Sequence, residues 1–514
     1  MYKHIPKSLF LFALLAASAC STSSDTKKTS NAEDWQVEKA NIILKDNATS
    51  IDGEGAKVEN NIITITKGGV YNLSGSLNNG QIMVNAADNN VQLILNGVTI
   101  TNKTTAAIHV VQAKNTYINV KKGSENYLNS SFEDTNAEVN ATVFASDDLF
   151  IDGSGTLSVS SSNLDAIAGK DDVNIQDCKL IIKAGDDGIR GKDSLTIKNA
   201  ILEITSNSDA LKATNDTDNK KGYIDIKNSA LTLTSKSTSS AKGMQAFTSI
   251  TIDGGTFIIN SVDDAIHAQN VTINDGNFTI VSQDDGIHAD NLLNINDGNI
   301  TIKKSYEGLE ASEVNINGGT HTIYASDDGI NAAGGSDSDN TQAMDDFSKR
   351  SGTLTIRGGV SAIYASGDGL DANGDIVMEG GEVYINGPEN GGNGSLDYDG
   401  NFTMSAGTLL AAGASDMPMA IGTSSTQNSI LVFLNTQEQA HTKFSIYDNS
   451  NTEIITYSPT TAYSAIVFSS ASLKLNETYT IKTANQSIEM TLTSTFTQNQ
   501  SSMNGFGNAQ EPMR

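Results

Sequence analysis

The feature that most constrains this chain is a short phrase, Asp-Asp-Gly-Ile or a close variant, that returns at regular intervals. Its second acid stands at Asp264, Asp285, Glu307 and Asp328, so the copies recur with a period of about 21 to 22 residues. A second phrase, Ile-Asn-Asp-Gly or Ile-Asn-Gly-Gly, keeps the same interval. Two phrases in register define one structural unit, and such units stack into a single continuous core.

The residues between the phrases predict short strands. Phe278 and Ile280 alternate with Thr279, which places the apolar side chains on one face. The 45 Gly beside only 5 Pro suit many strands joined by tight turns. A unit of about 21 to 22 residues with two or three strands and no helical period predicts an all-β fold. That fold is a parallel β-helix, one unit per coil.

The chain divides into five predicted segments. They are a lipoprotein signal peptide at 1–20, a polar tether at 21–40, the parallel β-helix at 41–420, a small antiparallel β module at 421–495 and a disordered tail at 496–514. The interval between Asp328 and Asp368 is nearly twice the usual period, and it is interpreted as one coil with an extruded polar loop.

The N-terminal segment predicts export. Lys3 and Lys7 precede an apolar run, and small residues lead into Cys20, as in a bacterial lipobox. Cys20 would then be lipidated and would hold the protein at the outer membrane or cell surface. The alternative is an ordinary secretory signal with an incidental Cys20.

The net charge of the chain restricts the classes of ligand that it can bind. The chain has 60 Asp and Glu against 33 Lys and Arg, a net charge of −27, which excludes nucleic acid as a direct partner. Stacked coils turn the repeated acids into a column that repels itself unless a cation intervenes. Ca²⁺ accepts several carboxylate oxygens in loose geometry, so these turns are a predicted calcium site. The candidate ligands are Asp186, Asp187, Asp263, Asp264, Asp284, Asp285, Glu307, Asp327, Asp328 and Asp368.

The same acids have a second interpretation. Asp-Asp-Gly is also good turn chemistry, in which Asp bonds its own backbone and Gly takes a positive φ. A neighbouring column follows three residues after the acids and has mixed chemistry. It contains Arg190, Lys212, His267, His288, Glu310, Asn331 and Asp371. The His pair permits a transition metal or acid/base work, and the alternative is a solvated strand face.

Exposed aromatics suggest a saccharide surface. Tyr324 and Tyr364 occupy equivalent outward positions of consecutive coils, Tyr384 lies nearby on the next coil, and Lys303 precedes them. Stacked tyrosines suit pyranose rings and a lysine suits a sugar carboxylate. Cross-strand stabilisation of the sheet is the alternative. Cys178 alternates with Leu180 and is expected to be a buried thiol.

The chain resembles bacterial proteins described as carbohydrate-binding domain-containing. The resemblance covers most of the chain and rests on the Asp-Asp-Gly-Ile series and on residues 69–77, 95–100, 146–155 and 391–398. It implies a right-handed parallel β-helix similar to pectate lyases, which binds Ca²⁺ and plant-type polysaccharides such as cellulose or pectin without established catalysis. Ala166, Ala210 and Ala265 depart from the usual turn Gly, and the copy at Lys242 lacks its acid.

These observations predict a monomeric, surface-anchored protein that binds polysaccharide with the help of Ca²⁺ and has no catalytic residue. The membrane contact is the N-terminal lipid only. One alternative is a pectate-type polysaccharide lyase, in which Ca²⁺ acidifies a proton and Lys212, Arg190 or Lys303 removes it. A second alternative is a structural surface spacer or adhesin.

Overall fold

The computed structural model describes residues 36–132, 138–236, 240–333, 352–389 and 391–499, and every regular element in these ranges is a β-strand. The predicted signal peptide with Cys20, most of the tether and nearly all of the tail lie outside the described residues. Within those ranges, no helix has the length and apolar character needed to cross a membrane.

The strands are short and follow one another closely along the chain. In order they are β1 (Glu38–Leu44), β2 (Ser50–Gly53), β3 (Ala56–Glu59), β4 (Ile62–Ile65), β5 (Gly69–Leu77), β6 (Gln81–Asn85), β7 (Asn90–Asn102), β8 (Ile108–Gln112), β9 (Asn115–Val120), β10 (Glu125–Ser130), β11 (Ala141–Ala145), β12 (Leu149–Asp152), β13 (Thr156–Ser161), β14 (Asp165–Gly169), β15 (Asp172–Gln176), β16 (Lys179–Lys183), β17 (Ile189–Gly191), β18 (Ser194–Lys198), β19 (Ile201–Ser206), β20 (Leu211–Ala213), β21 (Tyr223–Ser235) and β22 (Met244–Ala246). They continue with β23 (Ser249–Asn260), β24 (Ile266–Val281), β25 (Ile287–Ile295), β26 (Asn299–Ser305), β27 (Leu309–Ile316), β28 (Thr320–Ala325), β29 (Ile330–Ala332), β30 (Thr353–Ile356), β31 (Val360–Ala365), β32 (Leu370–Ala372), β33 (Asp375–Met378), β34 (Glu382–Asn386), β35 (Leu396–Tyr398), β36 (Phe402–Met404), β37 (Thr408–Gly413), β38 (Ser429–Glu438), β39 (Phe444–Tyr447), β40 (Glu453–Tyr457), β41 (Tyr463–Ser469), β42 (Thr478–Lys482), β43 (Ser487–Thr491) and β44 (Phe496–Gln498).

The strands of the coils pair in three parallel ladders, each linking one coil to the next. At the N-terminus, β1 also pairs antiparallel with β2, and β3 with β4. The first ladder runs through β4, β6, β8, β11, β14, β17, β20, β22, the starts of β24, β25 and β27, and then β29, β32 and β35. The long strand β24 crosses all three ladders. Its pairs with the next coil are Ile266 with Ile287 in the first ladder, Ile273 with Ile295 in the second and Ile280 with Ile302 in the third.

This pairing confirms the all-β fold with parallel strands and gives a β-helix-like stack of coils. Ile330 pairs with Leu370, so the long interval after Asp328 is a single coil, as predicted. The inward side chains, including Ile287 and Ile302, are fully buried and belong to one core cluster. Cys178 lies in that core as predicted, and burial raises the pKa of its thiol to about 12.

Polar side chains hold the outside of the coils in register. Asn274, Asn296 and Asn317 come from the second repeated phrase and form a ladder of amides. Asn296 Nδ2 donates to Asn274 Oδ1 at 2.7 Å, and Asn317 Nδ2 donates to Asn296 Oδ1 at 2.9 Å. These amide bonds join neighbouring coils, so the phrase stabilises the stacking.

An antiparallel region follows the last coil. Strand β41 pairs antiparallel with β37 of the last coil and with β38, and β39, β40, β42 and β43 form a separate antiparallel sheet. Two segment ends differ from the prediction. Strand β1 begins inside the predicted tether because Ala40 enters the core, and β44 begins inside the predicted tail because Phe496 packs against that core.

Truncating an inward side chain should destabilise the stack. Ile287→Ala removes buried methyl groups and is expected to lower the free energy of unfolding by about 2–5 kcal/mol. The matched control is Ile201→Ala, because half of that isoleucine is exposed, and its effect should stay within about 0.5 kcal/mol. Urea unfolding followed by circular dichroism measures both, and equal losses would contradict the assignment of Ile287 to the core.

Candidate functional site

The repeated acids lie in the turn between the third and first ladders. Their Oδ1 atoms accept the backbone N–H of the corresponding residue in the next coil. Asp165 accepts from Asp187 at 3.1 Å, Asp264 from Asp285 at 3.1 Å and Asp328 from Asp368 at 2.6 Å. These bonds join neighbouring coils rather than closing a local turn, and they leave Oδ2 of each acid for a cation. The local turn bond of the second interpretation does occur at Asp263, whose Oδ1 accepts the N–H of Asp264 at 2.8 Å.

The turn glycines have a related role. Gly286 does not adopt a positive φ, and a Cβ built on it would lie 2.5 Å from the carbonyl oxygen of Gly308 in the next coil. The glycine is needed for close approach of the coils. The expectation of a left-handed turn was wrong at this position, whereas Gly276 of the second phrase does have a φ of 140°.

Basic side chains neutralise the acid column in its N-terminal half. Arg190 Nη2 lies 2.6 Å from Asp165 Oδ2, and Lys212 Nζ lies 2.7 Å from Asp209 Oδ2. These bases come from the column three residues beyond the acids. The mixed chemistry of that column therefore has a structural function, which is to supply a fixed cation to each of these turns.

Lys242 replaces an acid of the column and supplies the next cation. Its Nζ lies 2.7 Å from Asp263 Oδ1 and 2.6 Å from Asp264 Oδ2, and all three side chains are buried. Burial alone would lower the pKa of Lys242, but Asp264 and Asp263 raise it above its ordinary value. The ammonium group therefore supplies the positive charge between these two carboxylates.

The C-terminal half of the column is different. Asp328, Asp368 and Asp371 bring carboxylate oxygens within 4.8 Å of one another. Among the residues that the structure describes, no Lys or Arg forms an ion pair with any of the three. Burial, reinforced by neighbouring carboxylates, raises the pKa of Asp328 to about 6 and the pKa values of Asp368 and Asp371 to about 7. This cluster has excess negative charge and only oxygen ligands.

Asn331 completes the cluster. It pairs in register with Asp371, is 7% exposed, and donates from Nδ2 to Glu307 Oε2 at 2.8 Å. Its Oδ1 is buried and accepts no hydrogen bond from the described residues. An unsatisfied buried oxygen is costly, and Asn331 is the in-register neighbour of Asp371. We refer to Asp328, Asp368, Asp371 and Asn331 as the oxygen cluster.

Sequence reasoning placed Asp328 and Asp368 in the metal set but missed Asp371 and Asn331, which belong to the second column. Their signal was their position three residues after the marker acids. Of the other predicted ligands, Asp186 is exposed, while Asp327 and Asp284 are half-buried. Asp187 lies 3.4 Å from Lys212 Nζ.

Asp285 and Glu307 lie beside the cluster rather than in it. Asp285 Oδ2 is 3.4 Å from His288 Nδ1. Glu307 accepts the hydrogen bond from Asn331 described above, and burial with the charge of Asp285 raises its pKa to about 8.

The predicted tyrosine surface is only partly assembled. Tyr324 and Tyr364 pair in register and stack with centroids 4.4 Å apart and an interplanar angle of 8°, and Tyr324 is 45% exposed. Tyr384 pairs with Ala362 instead, and its ring stacks on Tyr457 of the antiparallel sheet at 5.7 Å. Tyr384 lies on the next coil as expected, but two residues earlier on its strand than the position opposite Tyr364, so it belongs to another column.

The tyrosine pair precedes two acids of the oxygen cluster along the chain. β28 ends at Ala325, directly after Tyr324, and Asp328 follows before β29 begins at Ile330. Tyr364 stands in the same relation to Asp368 one coil later. Lys303 is exposed and lies in a register irregularity of β26, next to the coil that carries Tyr324.

A shallow cavity of about 260 Å³ opens on the first-ladder face further toward the N-terminus. Its lining includes Lys212, Gln245, Phe247, His267 and Asp290. Sequence reasoning missed Phe247 and Asp290, which belong to neither repeated phrase.

The stacked coils, with their acidic turns and the stacked tyrosine pair, form a β-helix-like solenoid. The family model described as carbohydrate-binding domain-containing protein matches residues 59–308 and 269–337, together more than half of the chain. The chain belongs to this family.

Two relatives extend the comparison. A carbohydrate-binding domain-containing protein of Acetivibrio thermocellus is 34% identical over 146 residues, which are 27% of this chain and 50% of that protein. The chain therefore matches about half the length of that curated relative. The structure of a polysaccharide lyase-like protein from C. thermocellum, a gadolinium derivative, is 28% identical, covers 50% of this chain and 96% of its own, and has a TM-score of 0.40.

Removing the Lys242 ammonium should leave two buried carboxylates without a cation. Lys242→Ala is expected to lower the free energy of unfolding by about 3–5 kcal/mol. The control is Lys227→Ala, whose ion pair with Asp253 is exposed and 3.8 Å long and should contribute less than about 1 kcal/mol. Urea unfolding measures both, and a small loss for Lys242→Ala would contradict its role as a fixed cation.

The oxygen cluster also predicts a pH dependence. Its three carboxyl groups have folded-state pKa values above the unfolded values, so the native state binds more protons. With chelator present, their contribution to stability is complete near pH 4 and is lost as pH rises through about 6 to 7. The melting temperature of Asp371→Asn should fall less than that of the wild type between pH 5 and 8. Identical slopes would contradict the prediction.

Proposed function

We propose that this protein is a non-catalytic, calcium-dependent polysaccharide-binding protein anchored at the outer membrane or cell surface. The observation that carries the proposal is the oxygen cluster, two of whose acids follow the stacked Tyr324–Tyr364 pair in the same coils. Family membership supports carbohydrate as the ligand. The calcium dependence, the polymer and the location are the parts that the proposal adds.

Calcium fits the oxygen cluster because the donor set is three carboxylates and one amide oxygen. Ca²⁺ accepts 6–8 oxygen ligands at about 2.3–2.6 Å and tolerates irregular geometry. It would neutralise carboxylates that burial otherwise drives toward protonation, and it would satisfy Asn331 Oδ1. The turns at Asp165, Asp209 and Asp264 are weaker candidates because Arg190 and two lysines already supply a cation there.

The kind of polysaccharide is inferred from the same surface. A cation held by only part of its ligand shell can accept the carboxylate of a uronate, which lets an acidic protein hold an acidic polymer such as polygalacturonate. The tyrosine rings, which precede two of these acids in the same coils, offer a flat apolar face to a pyranose. Cellulose presents the same pyranose face without the carboxylate and would use the tyrosines alone.

The proposal includes the finer architecture and the anchor. We interpret the stack as a right-handed parallel β-helix closed at its C-terminal end by the antiparallel sheet, acting as a monomer. Lipidation of Cys20 rests on the residues around it in the sequence.

The lyase alternative receives little support from the candidate bases. Burial lowers the pKa of Lys212, but Asp187 and Asp209 more than offset this and raise it, whereas a general base needs a lowered pKa. Arg190 Nη2 is bound to Asp165 Oδ2. Both side chains are suited to stabilising turns.

Retention on polygalacturonate and on cellulose, with Ca²⁺ and then with chelator, tests the proposal. Wild-type protein should bind polygalacturonate only with Ca²⁺, and Asp371→Asn should weaken that binding about 10-fold or more. Tyr324→Ala with Tyr364→Ala should weaken binding to both polymers.

Two control variants carry the same types of substitution, Tyr→Ala and Asp→Asn, at positions away from the proposed site. Tyr127→Ala removes another exposed third-ladder tyrosine, and Asp253→Asn removes an exposed acid away from the cluster. Both should bind like wild type. Absorbance from an unsaturated product would support the lyase instead, and absence of retention on either polymer would support the spacer.

A further inference from the structure

His267 and His288 form an imidazole pair in the second column that the proposed function does not use. They lie on neighbouring coils in register, and their rings stack with centroids 4.6 Å apart and an interplanar angle of 17°. His267 is 15% exposed and His288 is 1% exposed. Two imidazoles on adjacent strands, one of them within reach of solvent, are close enough to share one ligand.

Carboxylates flank both edges of this pair. On the Nδ1 edge, Asp264 Oδ2 is 3.3 Å from His267 Nδ1, and Asp285 Oδ2 and Glu310 Oε2 are each 3.4 Å from His288 Nδ1. A carboxylate beside Nδ1 favours the proton on that nitrogen and fixes the ring orientation, as in the carboxylate–histidine–metal arrangement.

The opposite edge of both rings faces one acid. Asp290 Oδ1 lies 3.2 Å from His267 Nε2 and 3.9 Å from His288 Nε2. Asp290 and His267 line the cavity of about 260 Å³ described above. Asp290 therefore faces both rings, and His267 and Asp290 are open to solvent and small ions, whereas His288 is buried.

We propose that His267 Nε2, His288 Nε2 and Asp290 Oδ1 bind a borderline divalent transition-metal ion such as Zn²⁺. Tetrahedral Zn²⁺ with bonds of about 2.0–2.2 Å separates its ligand atoms by roughly 3.3–3.5 Å. The distances from Asp290, 3.2 and 3.9 Å, bracket that separation. The two rings are nearly parallel, so a shared ion requires them to rotate until both Nε2 lone pairs point at it. The cavity leaves the fourth position to water.

The chemistry of the two edges decides where the ion lies. On the Nδ1 edge, the ammonium of Lys242 is already 2.6 Å from Asp264 Oδ2. On the Nε2 edge, the nearby acid is half-buried and opens onto the cavity. Imidazole ligands favour Zn²⁺ and its neighbours over Ca²⁺, which prefers oxygen alone. This site is therefore chemically distinct from the oxygen cluster, about two to three coils or roughly 10–15 Å away.

The test uses untagged, chelator-treated protein in excess Ca²⁺, so that the oxygen sites are filled. Titration with ZnCl₂ in a calorimeter should give one Zn²⁺ per chain, and Co²⁺ in its place should give the strong visible absorption of a tetrahedral ion. His267→Gln and Asp290→Asn should each weaken Zn²⁺ binding by about 10-fold to 100-fold. His109→Gln is the control, because His109 lies in the same column and packs on Phe144 instead.

His288 is fully buried, so His288→Gln is compared only where its circular dichroism and melting temperature match wild type. The proposal is overturned if wild type binds no Zn²⁺ or if His267→Gln and Asp290→Asn bind it as wild type does. Loss of Zn²⁺ binding in Asp371→Asn would overturn it too, since that result places the ion in the oxygen cluster. Polymer retention is measured separately, so failure here leaves the proposed function untouched.

Discussion

Parallel stacking is the constraint on which the rest of this structure depends. Each residue of a coil lies about 4.8 Å from its equivalent in the next coil, so any residue repeated in the sequence becomes a column in space. An inward column of Ile and Leu fills the core. An outward column of acids instead concentrates like charge, and the molecule must compensate it turn by turn.

The chain compensates its acid column in three ways. One oxygen of an acid accepts a backbone N–H from the next coil, which ties charge compensation to coil stacking. Arg190, Lys212 and Lys242 neutralise the N-terminal turns. At Asp368 and Asp371 no described base is present, and burial raises both pKa values instead. The column is thus mostly acidic in sequence, but its two halves differ in chemistry. Only the C-terminal half, where no described base neutralises the acids, is suited to binding a cation from solution.

Features that depend on spacing along the chain could be predicted from the sequence, whereas features that depend on the column in which a residue lies could not. The core alternation and the stacked tyrosine pair were predicted correctly, because both depend on spacing along the chain. Tyr384 was correctly placed on the next coil, but the sequence did not reveal its column, because a shift of two residues keeps a side chain on the same face and moves it to another column. Asn331 and Asp371 were read as a solvated strand face, since a column of mixed residue types gives no periodic signal of its own.

What the sequence determined by itself is the coil: its length, the inward face, the acidic turns and the absence of a helical period all follow from the regular repeat of the Asp-Asp-Gly-Ile phrase. Only the tertiary structure decided which acids have no base beside them among the residues that the structure describes. That outcome depends on side chains from different coils, as when Lys242 reaches Asp263 and Asp264 in the following turn. An ion pair forms only between groups a few ångströms apart. Residues in adjacent coils meet this condition although they are a whole repeat apart in the chain, so the sequence alone does not reveal which of them pair.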